Sequence, residues 1–324
     1  MADGTGISWT DATWNPVRGC SRVSEGCRNC YAERVAARFS GPGQPYEDLA
    51  DRERKGSKWT GVVRLIPAHL ADPLRWRRPR RIFVNSMSDL FHESLTNEEI
   101  AAVFGVMAAA PQHTFQVLTK RARRMREWFE WIGTANLDWL RTYAQRALDP
   151  TFTKRYVDRG TTWPLPNVWI GVSVENQEAA DERIPDLVRT PAAVRFLSCE
   201  PLLGPVVIAK WMRKNSQAPE VWTPPLDWVI AGCESGPGAR SCEAAWLRSL
   251  MEQCATAGVA RFLKQARARD GEYTITDRRP IPIVAGRIGE LLPVIGLGVG
   301  SKEKGGGVIE LPYLDGGQHA EFPR

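Results

Sequence analysis

Short runs of apolar, β-branched and aromatic residues recur along the chain, each about the length of a buried strand. They lie at 81–84 (RIFV), 114–118 (TFQVL), 168–174 (VWIGVSV), 194–197 (VRFL), 228–231 (WVIA) and 260–263 (ARFL). Helical periodicity fills most of the gaps. Residues 97–110 follow Thr96, with Glu99 three positions on, the pattern of a capping box. Residues 177–188 and 243–257 also read as helices, and Gly258 stands where the second should end. Near-continuously apolar strands alternating with helices predict an α/β fold with a parallel sheet covered on both faces. Six or seven such units fit a partial (β/α) barrel. An open doubly wound sheet satisfies the same pattern, but no G-x-G-x-x-G follows a strand to mark a dinucleotide site.

Two stretches interrupt the alternation. Residues 41–58 are polar and rich in Gly and Pro, and read as a surface loop. Residues 138–166 hold two Trp, two Tyr and five Arg or Lys, and read as a helical insertion at about 136–166. Beyond Gln265 the composition shifts, and 286–307 are glycine-rich. The expected organisation is therefore a barrel over 1–266 and a C-terminal appendage over 267–324.

Composition narrows the class. The 324 residues are 43% hydrophobic and 25% charged, as in globular domains. No apolar run reaches about 18 residues, so no membrane helix is expected. The N-terminus has no basic segment leading into an apolar one, and the expected location is cytoplasmic. The net charge is +6 and the pI about 9.0, a balance that suits anionic partners such as nucleic acid or nucleotides. Arg75-Trp-Arg-Arg-Pro-Arg-Arg81 and Lys120-Arg-Ala-Arg-Arg-Met-Arg126 concentrate that charge. Such segments suit a phosphate backbone, and solvated helix faces produce them too.

The cysteines carry the sharper signal. There are seven, an odd number in a chain without a visible leader, which argues against a disulfide framework. Cys20, Cys27 and Cys30 form a C-x6-C-x2-C motif. Cys27 and Cys30 should meet at the start of a helix over 29–39, and Cys20 should return to them from a six-residue loop containing Gly26. A structural zinc site usually closes with four ligands. Here the nearest histidine is His69 and the next cysteine Cys199. Three cysteines suit a 4Fe–4S cluster with one open iron. Such an iron can chelate S-adenosylmethionine, and electron transfer then gives a 5′-deoxyadenosyl radical that abstracts hydrogen from a substrate.

The stretch from Ile7-Ser-Trp-Thr-Asp-Ala-Thr-Trp-Asn-Pro to Cys27-Arg-Asn-Cys-Tyr-Ala-Glu33 resembles the phage and prophage three-cysteine-motif proteins, relatives of radical S-adenosylmethionine enzymes. Val84-Asn-Ser-Met-Ser-Asp-Leu-Phe-His92, Val117-Leu-Thr-Lys-Arg121, Trp169-Ile-Gly-Val-Ser-Val-Glu-Asn176, Ser198-Cys-Glu-Pro-Leu-Leu-Gly204, Ala231-Gly-Cys-Glu-Ser-Gly-Pro237 and Phe262-Leu-Lys-Gln265 extend the resemblance over about 6–266. Tyr31 after the third cysteine is similar to spore photoproduct lyases, which repair thymine dimers. The common radical motif is C-x3-C-x2-C, so the first gap here is longer. The resemblance implies a partial βα barrel, a 4Fe–4S cluster in the loop after the first strand and S-adenosylmethionine across the strand ends. It also implies an external electron donor, a three-cysteine-motif partner protein and a substrate such as a modified nucleobase in DNA.

Functional side chains of parallel barrels gather at the C-terminal ends of strands. Asn85, Ser86, Asp89, Ser173, Glu175, Ser198, Glu200 and Glu234 stand at such ends and are the candidates for holding S-adenosylmethionine. Lys120, Arg240, Lys264 and Gln265 are the candidates for a substrate phosphate or carboxylate. Two other readings stand beside the enzyme: a nucleic-acid-binding protein with a structural iron–sulfur cluster, and a zinc-stabilised scaffold.

Overall fold

The computed structural model describes residues 5–53, 56–133, 137–148, 162–212, 226–236, 238–265, 313–314, 317–318 and 322. By its contacts the chain divides into two compact units. The first holds residues 1–5, 10–172 and 185–193, and the second 6–9, 173–184 and 194–324.

The N-terminal part runs β1 (Ala12–Trp14), β2 (Val17–Arg18), α1 (Tyr31–Arg38), β3 (Ala50–Glu53), β4 (Gly56–Trp59) and β5 (Arg64–Leu65), then the single turns α2 (Pro67–Leu70) and α3 (Asp72–Arg75). Next come β6 (Arg81–Val84), α4 (Asn97–Ala108), β7 (Thr114–Thr119), α5 (Ala122–Ile132) and α6 (Leu137–Ala147). The remainder is β8 (Val168–Ser173), α7 (Gln177–Arg189), β9 (Val194–Cys199), β10 (Trp228–Gly232), α8 (Ala244–Ala257), β11 (Ala260–Gln265), β12 (Tyr313–Leu314) and β13 (Gly317–Gln318).

Seven strands form one parallel sheet in the order β1-β6-β7-β8-β9-β10-β11. All six apolar runs are strands of it. The order follows the chain without reversing, which is the winding of a partial βα barrel, whereas a doubly wound sheet reverses at a switch point. The strand that pattern reading passed over is β1. With only three residues it is too short to show a period, and its pairing of Thr13 with Phe83 in β6 places it.

The α4 boundary is fixed by the expected box: Thr96 Oγ1 accepts from the Glu99 amide at 3.2 Å, and Glu99 accepts from the Thr96 amide at 2.8 Å. Residues Ile100 through Ala108 are all buried, so beyond its first turn α4 has no solvent face. One reason is α6, which lies so close that a Cβ on Gly105 would come within 2.3 Å of the Leu140 carbonyl oxygen. Phe91, Phe104 and Trp128 complete this core with tilted ring contacts. The helix α6 falls in the expected insertion, whose stretch 149–161 lies outside the described residues. Residues 41–58, expected as a loop, contain the antiparallel pair β3–β4. Its sequence ADRE gives no apolar alternation from which a strand could be read.

In the second unit Trp9, Phe196, Trp228 and Phe262 pack ring against ring. Gly258 caps α8 in the left-handed conformation, as expected. The glycine-rich segment 286–307 lies outside the described residues, but Phe322 packs on Trp228 and Phe262 at 5.3 and 5.6 Å between centroids. Among the described residues no helix is long and apolar enough to cross a membrane.

Candidate metal centre and strand-end carboxylates

The cysteine segment begins where β2 ends. Gly19 makes a parallel bridge to Ser88 and has φ +89°, and a Cβ there would lie 2.0 Å from the Val62 carbonyl oxygen. Only glycine tolerates both the backbone angle and the approach. Cys27 ends a short 3₁₀ turn (Glu25–Cys27), and Cys30 is the N-cap of α1. The buried face of α1, Ala32, Ala36 and Ala37, packs on Ala50 and Trp59 of the β3–β4 hairpin, with Cys20, Cys30, Tyr46 and Met87 against that cluster.

Two arginines clamp the loop between Cys20 and Cys27. Arg22 donates to Glu33 of α1 at 2.5 Å, and Glu33, which is 2% exposed, also accepts from the Trp59 amide at 2.8 Å. Arg121 donates to the carbonyl and hydroxyl of Ser21 at 3.2 and 2.8 Å. Its Nη1 lies 3.9 Å from the Cys20 sulfur and 3.2 Å from Asp89, and its Nε meets Glu93 at 2.8 Å. Asp89 is saturated by further bonds from Thr119 Oγ1 and the amides of Phe91 and Lys120. His92 accepts from the Ser94 amide through Nδ1, so its Nε2 carries the proton and donates to Ser21 at 2.9 Å.

These neighbours set the electrostatics. Burial, and then the charge of Asp89, push the Cys20 thiol up to about 12, with Arg121 pulling the other way. Burial raises Cys30 as well, opposed by the backbone amides of Glu33 and Ala32 at the start of α1 and by the charge of Lys120. The charges of Cys30 and Cys27 add to the rise at Cys20, and that of Cys27 to the rise at Cys30. Burial, and then Arg121, lower His92. For Arg121 burial disfavours the charge, but Asp89, Cys20 and Glu93 more than compensate, and it is held as a cation.

Cys20, Cys27 and Cys30 are half-buried residues, whereas Cys199, Cys233, Cys242 and Cys254 are buried and belong to the second unit. Among the described residues, no group of three or more His, Cys, Asp or Glu is arranged to hold a metal ion as it stands. A cubane spreads its cysteine ligands over separate irons and asks for less convergence than a single ion. The donor set of three soft sulfurs beside a fixed cation fits a cluster of that kind. Filling it would displace the thiol protons.

The remaining candidates fall into two groups. In the first unit, Asn85 is 2% exposed with φ +58°, accepts from the Val17 amide, and leaves Nδ2 without a partner among the described residues. Ser86 donates to Asn15, and its carbonyl accepts from Tyr31 at 2.5 Å. Asp89 holds Arg121 as described. In the second unit, Glu175 is 1% exposed and meets Arg183 at 2.9 Å, while Arg183 also donates to the Ser173 carbonyl. The Ser198 carbonyl accepts from the Val174 amide. Glu200 accepts from Lys264 at 2.6 Å and Gln265 at 3.1 Å. Glu234 accepts from the amide, Nε and Nη2 of Arg240. Each strand-end carboxylate thus has a cation from the same unit, and each suggested substrate cation of that unit has a carboxylate.

The basic run 120–126 is similarly engaged. Arg121 is buried, Arg123 pairs with Glu127, Arg124 donates to Leu95 and Asn97, and Arg126 pairs with Asp186. Arg121, Glu33 and Arg183 are the important residues to which sequence reading gave no role. Arg121 stood in the sequence as one arginine of the basic run and as the end of the Val117–Arg121 stretch, without a role of its own.

No curated protein and no solved structure matches the chain. A family described as a protein of unknown function, DUF5131, matches residues 4–323, and the chain belongs to that family.

Proposed function

We propose that the chain is a radical S-adenosylmethionine enzyme whose Cys20, Cys27 and Cys30 hold a 4Fe–4S cluster. The carrying observation is the set of three half-buried cysteines, the only ones in the first unit's sequence, with the Arg121 guanidinium fixed 3.9 Å from one of their sulfurs. The chemistry such a group supplies is one-electron cleavage of S-adenosylmethionine to methionine and a 5′-deoxyadenosyl radical, with the electron from an external donor. The chain's own part is to hold the ligands and balance their charge. Arg121 supplies a cation in a place where burial strengthens its field. Asp89 and Glu93 keep it aimed, and Arg22 anchors the long first gap of the motif to α1. The backbone amides at the start of α1 oppose the burial that raises the Cys30 thiol. The basic charge balance supports an anionic substrate, and a modified nucleobase in DNA is the one we favour.

The test is anaerobic reconstitution, iron and sulfide analysis, and incubation of the reduced protein with S-adenosylmethionine, with and without phage DNA. Formation of methionine and 5′-deoxyadenosine supports the reading. Iron-loaded, reduced protein that binds DNA but leaves S-adenosylmethionine intact would replace it with the nucleic-acid-binding reading. Stoichiometric zinc without iron would leave a scaffold.

A further inference from the structure

The chain carries two basic runs, and the fold treats them differently. In 120–126 the arginines are engaged, as described. In 75–81 the two ends are held and the middle is not. Arg75, the last residue of α3, pairs with Asp72 at 3.4 Å. Arg81, the first residue of β6, donates to Asp11 through its amide and its Nη2, each at 2.8 Å. The Thr114 amide donates to the Arg80 carbonyl at 2.9 Å, and the Gln112 side chain to the Trp76 carbonyl at 3.4 Å. Trp76 packs edge-on against His113 at 6.0 Å, and the Arg80 guanidinium lies over the Trp76 ring at 5.3 Å. Pro79 stiffens the segment further. Arg77 and Arg78 stand between these anchors. Both are exposed, and neither makes an ion pair or hydrogen bond among the described residues.

Two neighbouring guanidinium groups without a carboxylate leave an unbalanced positive field, and the anchored segment holds that field in place before a partner arrives. Arginine presents a planar fork that matches phosphate oxygens and keeps its charge at every working pH. We propose that Arg77 and Arg78, beside the stacked Trp76 and Arg80, form a docking surface for the phosphate backbone of a nucleic acid. The net charge of +6 adds long-range attraction for such a polyanion. Contacts to phosphate position the polymer and read no bases, so docking here is blind to sequence and sensitive to salt. The surface stands apart from the proposed metal centre. It precedes β6, whereas Ser86, Ser88 and Asp89 follow the other end of that strand. It therefore holds the polymer and not the base under reaction. The choice of nucleic acid rests on the proposed substrate, but docking needs neither iron nor S-adenosylmethionine.

The test is fluorescence anisotropy of the full-length protein with a labelled DNA duplex over a salt series, before and after iron reconstitution. Arg77→Gln/Arg78→Gln removes both charges, and its thermal melt should match wild type because neither side chain supports the fold. Its binding at low salt should be roughly tenfold weaker, and its slope of log K against log salt shallower by about 1.8, the share of two phosphate contacts on a duplex. Arg77→Lys/Arg78→Lys keeps the charge and should keep the slope. A duplex of unrelated sequence should bind wild type within about twofold. Arg123→Gln/Lys210→Gln removes two cations already paired with Glu127 and Asp181, and should leave the slope unchanged. Failure of wild type to bind, an unaltered slope in the Arg77/Arg78 glutamine variant, or an equal loss in the paired-cation control would overturn the proposal. So would poly-glutamate that binds wild type through these arginines when DNA does not, which would give the surface to an acidic protein. Docking that needs these arginines, in a protein that leaves S-adenosylmethionine intact, keeps the surface and removes the radical enzyme. Cleavage of S-adenosylmethionine with DNA binding unchanged in the variant does the reverse.

Discussion

Arg121 and Cys20 stand 101 residues apart in the chain, yet the arginine Nη1 lies 3.9 Å from the cysteine sulfur. The arginine side chain is 4% exposed, so its charge must be answered locally, and Asp89, itself 8% exposed, is the buried half of that answer. Asp89→Ala leaves a buried guanidinium short of its partner and should lower unfolding free energy by roughly 3 kcal/mol, the lower end of the cost of breaking a buried pair. Glu93 is 62% exposed, and Glu93→Gln should cost about 1 kcal/mol or less. Urea midpoints of the two variants decide the matter; equal losses would mean that the buried pair is not what holds Arg121.

Iron content tests the cysteine motif directly. Reconstituted wild-type protein should carry about four irons per chain, the content of one cubane. Alanine at Cys20, Cys27 or Cys30 should abolish loading, while Cys254→Ala, far from the motif in sequence and fully buried in the second unit, should load normally. Loss of iron from the Cys254 variant in a folded protein would contradict the assignment.

Glu175 separates a ligand role from a structural one. Its pair with Arg183 is buried on both sides, at 2% and 4% side-chain exposure. Glu175→Ala should therefore destabilise the protein by roughly 3–5 kcal/mol. Thermal melts and calorimetric titration with S-adenosylmethionine should be read together. A variant that melts like wild type but no longer binds would make Glu175 a cofactor ligand instead.

His113 gives a pH dependence. Burial lowers it from the ordinary 6.5. Its Nε2–H donates to the Pro73 carbonyl at 3.1 Å, and Nδ1 is buried without a partner among the described residues. The folded state thus resists the second proton, whereas the unfolded chain accepts it near pH 6.5. Stability from this group is present above that pH and is lost as pH falls through the lowered value. His92 is shifted in the same direction. Urea midpoints of His113→Asn should fall less steeply below pH 6.5 than those of wild type, and a slope no shallower would refute the buried neutral ring.

Gly19→Ala should be poorly tolerated. The added carbon meets the Val62 carbonyl oxygen at 2.0 Å, and φ is +89°. A loss above about 1 kcal/mol is expected for an alanine forced into such an angle. Because the next residue is Cys20, iron loading should fall with stability. A stable, fully loaded variant would show that the 19–20 segment can move.

Much of the architecture could be read beforehand because buried parallel strands announce themselves as apolar runs, and the Thr96–Glu99 box is a local code. The motif thiols could be read for the same reason, being close in sequence. What could not be read depends on distant pairing. β1 is too short to carry a period and exists through its register with β6. The choice of Arg121 from a run of basic residues is made by Asp89 and Ser21, which only the fold brings to it. The strand-end glutamates were visible, but their engagement by Arg183, Lys264 and Arg240 was not, since a carboxylate looks the same in sequence whether a ligand or an arginine claims it.

The order of the strands in the sheet is also the order in which they are synthesised. A sheet wound this way can add each new strand to the edge left by the one before, without waiting for a later strand to be inserted between two earlier ones. Gly19, Cys20, Arg22, Cys27, Cys30, Glu33, Asp89, His92 and Arg121 all precede β8. The thiols and every counter-charge described around them are therefore present on the nascent chain before the strands of the second unit have been made.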